Sequence, residues 1–357
     1  MLEENKMRSG MRISVDGWVF RNSPNGGIAR YWSELFRAMN SLEANVRYHV
    51  SLPPGSRRPP HVRTSRTGSP GAYWAAWRAD LFHSTYYTHW PRMRCPEVTT
   101  VYDFVDASFP LLHPNSAGFV DRQLAALRRA AAVIAISKST RDLAIELAGV
   151  APSRIFLAYP AIAEPFTQSL PTADAIRKFR EEHTGGAPYL IHVGHRKNYK
   201  NFRTILKAFC RMAPKTDRHL LIIGGKDRLD EDEIHWIIAS RLMDRVHFKR
   251  HVDDATLRLA YAGADAMVHA SLMEGFGIPV LEALACGTGL ILSDIPVYRE
   301  IAEGMATFVE AGDADAWAQA FLSAVEVQPA WREEVLKRYT WDAAAQVHLK
   351  AYECALK

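Results

Sequence analysis

Two glutamates eight residues apart, Glu274 and Glu282, bracket the run Gly275-Phe276-Gly277-Ile278-Pro279. Gly275 and Gly277 carry no Cβ, so backbone N–H groups there can come close to a ligand. Pro279 suits the first turn of a helix, where its missing N–H is no loss, and Gly287 suits the left-handed stop just past the end. The free N–H groups of that first turn carry partial positive charge and favour phosphate. Glu274 falls in the loop and Glu282 just inside the helix, both aimed at one mouth. A carboxylate accepts two hydroxyl hydrogen bonds at once, and charge-assisted bonds are strong. Two carboxylates beside an anion-binding turn suit a ligand with both phosphate and sugar hydroxyls, Glu282 taking a ribose diol and Glu274 a sugar. Either glutamate alone would be explained by an acidic helix start that satisfies the helix dipole.

A second anion site lies upstream. Tyr189–Val193 reads as a strand closed by Gly194, and a helix is expected over Asn201–Met212. Arg196 and Lys200 stand between them, where two cations would neutralise a diphosphate. The strand from His219 runs into the turn Gly224-Gly225-Lys226. Gly26-Gly27 joins a strand at Arg12–Asp16 to an amphipathic helix at Ile28–Met39 and again offers backbone donors. No third glycine follows at the spacing of the dinucleotide fingerprint. Tyr102-Asp103 ends a strand that starts at Val98, and parallel strands carry functional loops at their carboxyl ends. His83 and His89 stand alone and read as structural. Asp230-Glu-Asp-Glu233 reads as a solvated helix start, so no metal and no other cofactor is expected.

The pattern Glu-Gly-Phe-Gly-x-Pro with its second glutamate resembles the donor-site signature of the retaining glycosyltransferases of family GT4. The run Gly-x-Arg-x-x-x-Lys-Asn resembles the Arg/Lys pair by which that family neutralises its leaving diphosphate. The resemblance implies Glu274, Asp103, Arg196 and Lys200 as catalytic residues. It places Gly26, Gly27, Gly194, Gly225, Gly275, Phe276, Gly277, Ile278 and Glu282 on the donor. Many members carry a His-Asp pair where this chain has Tyr102-Asp103, so Tyr102 departs from the pattern. The family keeps the anomeric configuration. A double displacement needs a carboxylate nucleophile about 5 Å from its acid partner, and the sequence offers none, so front-face attack is expected.

The elements that must hold these residues alternate strand and helix twice over, which implies parallel sheets with right-handed crossovers. The resemblance implies a GT-B architecture, two Rossmann-like doubly wound domains facing across a cleft. The expected division is 1–165 with a closing helix at 341–357 anchored by Trp341, a linker at 166–187, and a nucleotide-sugar domain at 188–340. The chain has 357 residues, 48% of them hydrophobic, ample for two cores. No apolar run reaches the roughly 18 residues of a membrane span. Residues 1–10 read as a polar leader without a signal peptide's apolar core. Cys95, Cys210, Cys286 and Cys354 form no CxxC pair and read as buried thiols, which fits the cytoplasm.

Residues 1–165 hold 20 Lys and Arg against 13 Asp and Glu, the remainder 24 against 26. The basic half favours an anionic partner. Residues 53–78, with Arg57, Arg58, Arg63 and Arg66, read as a mobile loop followed by a short helix carrying Trp74 and Trp77. A solvated loop is the favoured reading there, and peripheral contact with the anionic inner face of the cytoplasmic membrane is the alternative. The expected partners are a GDP- or UDP-sugar, mannose the favoured sugar, and a glycan or lipid-linked glycan acceptor in surface polysaccharide assembly. A nucleotide-sugar epimerase shares the fold, but the paired glutamates argue against it. A nucleic-acid-binding protein would need aromatic platforms or known motifs that are missing.

Overall fold

The computed structural model describes residues 10–357 except Asn25, Glu43, Ala44, 91–93, Lys197, Lys226, Asp227 and Ala324. The leader apart from Gly10, and Lys226 of the glycine turn, therefore lie outside the described residues.

The chain divides into two compact units. One runs to Ala161 and takes in Thr340–Lys357; the other is Ile162–Tyr339. In the first, β1 (Met11–Asp16), β2 (Val46–Leu52), β3 (Arg63–Arg66), β4 (Leu81–Ser84), β5 (Glu97–Val101), β6 (Ala132–Ala135) and β7 (Ile155–Leu157) form a parallel sheet in the order β3-β2-β1-β4-β5-β6-β7. In the second, β8 (Tyr189–Val193), β9 (His219–Ile223), β10 (Val246–Lys249), β11 (Ala266–His269), β12 (Gly289–Ser293) and β13 (Thr307–Val309) form a parallel sheet ordered β10-β9-β8-β11-β12-β13. Central strands such as β6, β8 and β12 are buried end to end. A parallel sheet covered by helices on both faces requires that, and it explains their near-continuous apolar runs.

The helix Phe202–Met212 shows why the second unit holds together. Phe202, Ile205, Leu206 and Phe209 recur at helical spacing and bury against Leu220, Ile222, Trp317 and Phe321. Each such side chain contributes roughly 1.5–3 kcal/mol. In the first unit Trp32, Leu35 and Phe36 of the helix Gly27–Ser41 are buried. The C-terminal helix Trp341–Ala355 buries His348, Ala351 and Tyr352. Its expected anchor, Trp341, does meet the Tyr31 ring edge-on at 5.4 Å. The deeper attachment is polar: the Tyr31 hydroxyl lies 3.0 Å from His348 Nε2, and the Tyr352 hydroxyl 2.8 Å from His83 Nδ1.

Three expectations are corrected. Residues 166–187 are no linker, because the helix Ala173–Thr184 belongs to the second unit. Arg180 Nε donates to Gly263 O at 2.8 Å, and Phe179 packs on Tyr189. Residues 53–78 are not all loop before their helix. Arg63–Arg66 is an edge strand paired with β2, hidden in the sequence because an edge exposes polar side chains. Among the thiols only Cys286 is fully buried, while Cys354 is exposed.

Candidate active site

In the second sheet the strand order reverses between β8 and β11. Open α/β sheets bind ligands beyond the carboxyl ends of their strands at such a point. Gly194 follows β8 there, and Ser271–Gly277 follows β11. Gly277 caps the helix Ile278–Ala285 with φ +119°. A Cβ on it would lie 3.0 Å from Tyr298 Cε1 and 3.2 Å from Ile301 Cδ1, so a glycine is required.

Glu274 is the hub. Its Oε1 accepts from Lys200 Nζ at 2.6 Å, Ser271 Oγ at 2.7 Å and the Tyr298 hydroxyl at 3.3 Å. The pair is largely shielded, with side chains 18% and 10% exposed, so solvent screens it less than a surface ion pair. Leu272 N donates to Tyr199 O at 2.7 Å, which ties the lysine loop to the glutamate loop. Asn201 fastens the same corner, donating to Ala270 O and Ala311 O at 3.1 and 2.7 Å.

Beneath lies His269, whose Nε2 sits 2.7 Å from Val193 O and whose Nδ1 sits 3.2 Å from the Tyr298 hydroxyl. A carbonyl can only accept, so Nε2 carries the proton and Nδ1 is an acceptor. The single Tyr298 proton is shared between His269 and Glu274. Burial, then the nearby Lys200 charge, bring His269 down to about 3, so it stays neutral.

Arg196 is turned inward. Its Nε donates to Glu233 at 3.3 Å, and its Nη2 donates to Arg228 O at 2.7 Å. Its guanidinium carbon lies 4.8 Å from the centre of the Phe248 ring. Gly225 leaves the space, since a Cβ there would come within 2.9 Å of Arg196 Nη1. Glu233 is thus not the solvated residue expected: it is buried, and it closes a capping box with Asp230 as it holds Arg196. Glu282 is buried in its helix and accepts from the Tyr261 hydroxyl at 3.3 Å. Burial, and then the Glu282 charge, push the Cys286 thiol up to about 12.

In the first unit Gly26 caps the helix Gly27–Ser41, and a Cβ on Gly27 would meet nothing within 4 Å. Asp103 follows β5; its Oδ1 accepts from Val105 N at 3.1 Å, and its carbonyl accepts from Gln123 Nε2 at 2.7 Å. Tyr102 belongs to the core. Its hydroxyl accepts from Trp32 Nε1 at 2.6 Å, and it meets Tyr31 edge-on. Ser271, Tyr298 and Asn201 had no assigned role from sequence. Ser271 and Asn201 adjoin the two motifs, but Tyr298 is far along the chain and carried no local signal.

Two Rossmann-like parallel sheets, the second with a glycine-capped helix and a carboxylate–ammonium pair where its strand order reverses, are the build of a GT-B glycosyltransferase. Residues 174–340 match the family model described as glycosyl transferases group 1, and residues 25–164 match glycosyltransferase family 4. The chain belongs to this glycosyltransferase family. It is 25% identical over 288 residues to O-antigen chain mannosyltransferase B of Escherichia coli, covering 76% of this chain and 75% of that protein. To O-antigen chain mannosyltransferase RfbU of Salmonella typhimurium it is 26% identical over 223 residues, 62% of this chain and 59% of that protein. The solved structure of Anabaena HepE in complex with UDP superposes with a TM-score of 0.77 at 16% identity, covering 96% of this chain and 99% of HepE.

Proposed function

We propose that the enzyme moves a hexose, with mannose favoured, from a nucleotide diphosphate to a glycan or lipid-linked glycan acceptor of a surface polysaccharide, with retention and without a metal. The observation that carries this reading is the 2.6 Å Lys200–Glu274 pair beside the glycine-capped helix. A donor diphosphate at that helix start meets free N–H groups and the Lys200 ammonium, which offset the charge that builds on the leaving group. Glu274 then accepts from hydroxyls of the sugar, and Glu282 from the ribose. Arg196 holds the floor of the site through Glu233 and adds its field to the diphosphate. The acceptor oxygen bonds to the anomeric carbon as the bond to phosphate breaks. The acceptor's proton passes to the departing phosphate oxygen. The mannose lean is supported by the names of the two O-antigen relatives. The exposed rings of Trp74 (59%) and Trp77 (82%) support peripheral contact with anionic lipid; equal weak sedimentation with neutral and anionic liposomes would sink that part. Among the described residues no helix is long and apolar enough to cross a membrane.

The test is thermal stabilisation by UDP-, GDP-, ADP-, CMP- and dTDP-sugars of wild type and Glu282→Ala. A ligand of the folded state raises stability with the logarithm of its excess over Kd. One nucleotide series should shift the wild type and shift the variant far less. No shift in the wild type overturns the reading, and an inverted anomeric product by NMR overturns retention.

A further inference from the structure

The helix Pro296–Ala302 follows β12 and carries Tyr298, fully buried beside the glutamate loop. A phenylalanine would fill nearly the same space. A buried hydroxyl is costly unless it is paired, so the phenol oxygen needs a use. It lies 3.2 Å from His269 Nδ1, 3.3 Å from Glu274 Oε1 and 3.5 Å from Ser271 Oγ. Burial, then the Glu274 charge, push the phenol well above its ordinary range, so the oxygen keeps its proton and donates.

The carboxylate it meets is engaged on one side only. Lys200, Ser271 and Tyr298 all donate to Glu274 Oε1, and Oε2 accepts from no described residue. The short bonds from Lys200 Nζ at 2.6 Å and Ser271 Oγ at 2.7 Å already occupy the two lone pairs of Oε1. The Tyr298 proton comes third, at longer range, and His269 competes for it. Lys200 is also the cation for a diphosphate in the reading above. An ammonium that turns toward a diphosphate loosens its hold on Oε1. Tyr298 is the donor placed to take over: its O–H rotates from His269 Nδ1 to Oε1, and the proton stays on the phenol oxygen.

The frame around this hydroxyl is fixed from three strand ends. His269 of β11 is held by its Nε2 on Val193 O of β8 at 2.7 Å, which leaves Nδ1 as an acceptor toward the phenol. Ser293 of β12 donates its hydroxyl to Ser271 O at 2.6 Å. The Tyr298 ring packs on the backbone of Gly277 so closely that a Cβ there would lie 3.0 Å from Cε1.

We propose that Tyr298 is a positioning residue that sets the selectivity for the donor sugar: it holds Glu274 by Oε1, so that Oε2 meets the transferred sugar in one fixed orientation. This rests on the transferase reading above. A fixed acceptor oxygen takes hydroxyls in one arrangement only. An epimer carries one of them out of reach and leaves a polar group of the site without its partner, which is how such sites reject analogues. A carboxylate free to turn would follow either epimer. Tyr298 thus acts through Glu274, not on the sugar.

Calorimetric titration with matched probes tests this: GDP with GDP-mannose and GDP-glucose, UDP with UDP-glucose and UDP-galactose. Within a series, the gain of a nucleotide sugar over its nucleoside diphosphate measures the sugar's share of binding. The ratio of the two sugars measures selectivity. Tyr298→Phe keeps the ring and removes one oxygen. It should leave the nucleoside diphosphate within about twofold of wild type, lower the gain by about fivefold, the worth of one hydrogen bond, and bring the epimer ratio toward one. Ser271→Ala removes the other hydroxyl from Oε1 and should move gain and ratio in the same direction. A phenol that serves only the packing would lower the melting temperature of Tyr298→Phe and leave gain and ratio intact, and that result overturns the proposal. Ser271→Ala without effect on either, or a wild type that binds both epimers alike, overturns it too. Glu274→Ala is the reference and should lose the gain altogether. A wild type in which no sugar adds to its nucleotide, or a Glu274→Ala that keeps the gain, places the failure in the transferase reading. A gain lost in Glu274→Ala but whole in Tyr298→Phe confines the failure to Tyr298.

Discussion

At the scale of the residue, Glu274 and Arg196 are both charged, both shielded and differently employed. Glu274 gathers Lys200, Ser271 and Tyr298 at one oxygen. Replacing it by alanine should lower transfer by roughly 10²–10³-fold, the scale on which removing one preorganised polar group from a site acts. Nucleotide affinity, read by titration with the free nucleoside diphosphate, should hold. Full activity in Glu274→Ala would remove it from the site. Arg196→Ala should behave otherwise, because it strands the buried Glu233 charge. Breaking a buried pair costs about 3–5 kcal/mol, so urea unfolding should shift strongly, and Arg196→Ala with Glu233→Gln should recover much of the loss. If Arg196→Ala kept full stability and lost only turnover, its role would be on the diphosphate alone. The spacing of Glu274, Glu282 and Lys200 was readable because a helix start and two strand ends fix where those side chains begin. The inward turn of Arg196 was not. Its partner lies 37 residues away in a run whose other acids are solvated, and polarity does not say which of four acids turns in.

At the scale of the element, the start of the helix Ile278–Ala285 joins backbone geometry to the site. Gly277 there combines φ +119° with close contact to Tyr298, the residue whose hydroxyl shares its proton with Glu274. Gly277→Ala should cost about 1–3 kcal/mol from backbone strain and displace the Tyr298 ring. Melting temperature and donor affinity should fall together; an alanine variant with unchanged donor affinity would show that the helix start tolerates the shift. Glycine and proline made this element legible, since their backbone limits act locally. The edge strand Arg63–Arg66 was illegible for the opposite reason. Its pairing with β2 is non-local, and its side chains obey solvent rather than the sheet. The C-terminal helix was placed by resemblance alone. Its hold on the first unit runs through His348 and Tyr352, whose partners Tyr31 and Tyr48 lie more than 300 residues away.

At the scale of the whole molecule, each unit has sealed two histidines in its core in the neutral form. Burial brings His192 and His269 to about 3 in the second unit, with the neighbouring imidazole adding to it at His192 and the Lys200 charge at both. Burial brings His348 to about 4 in the first, and His83 well down as well. An unfolded histidine takes up its proton near pH 6.5. Between that value and the folded one, the unfolded chain binds more protons than the native chain, so stability rises with pH across this window. It is complete above about pH 7 and drains as pH falls. Each fully buried histidine should then cost roughly 2 kcal/mol between pH 7 and pH 5, so His192 and His269 together should account for about 4 kcal/mol, to which the half-buried His219 and His247, also lowered by burial, add. Most carboxylates titrate below that window, which leaves it to the histidines. Urea midpoints at half-unit pH steps would measure the slope. His192→Gln should take one buried imidazole's share, roughly 2 kcal/mol between pH 7 and pH 5, out of the slope of the transition that reports the second sheet, whatever it costs in absolute stability. A flat profile from pH 7 to 5, or a slope that His192→Gln leaves untouched, would mean that these imidazoles are charged in the native core. The hydrogen bond from His269 to Val193, and the neutral face it turns to Tyr298, would then need another account.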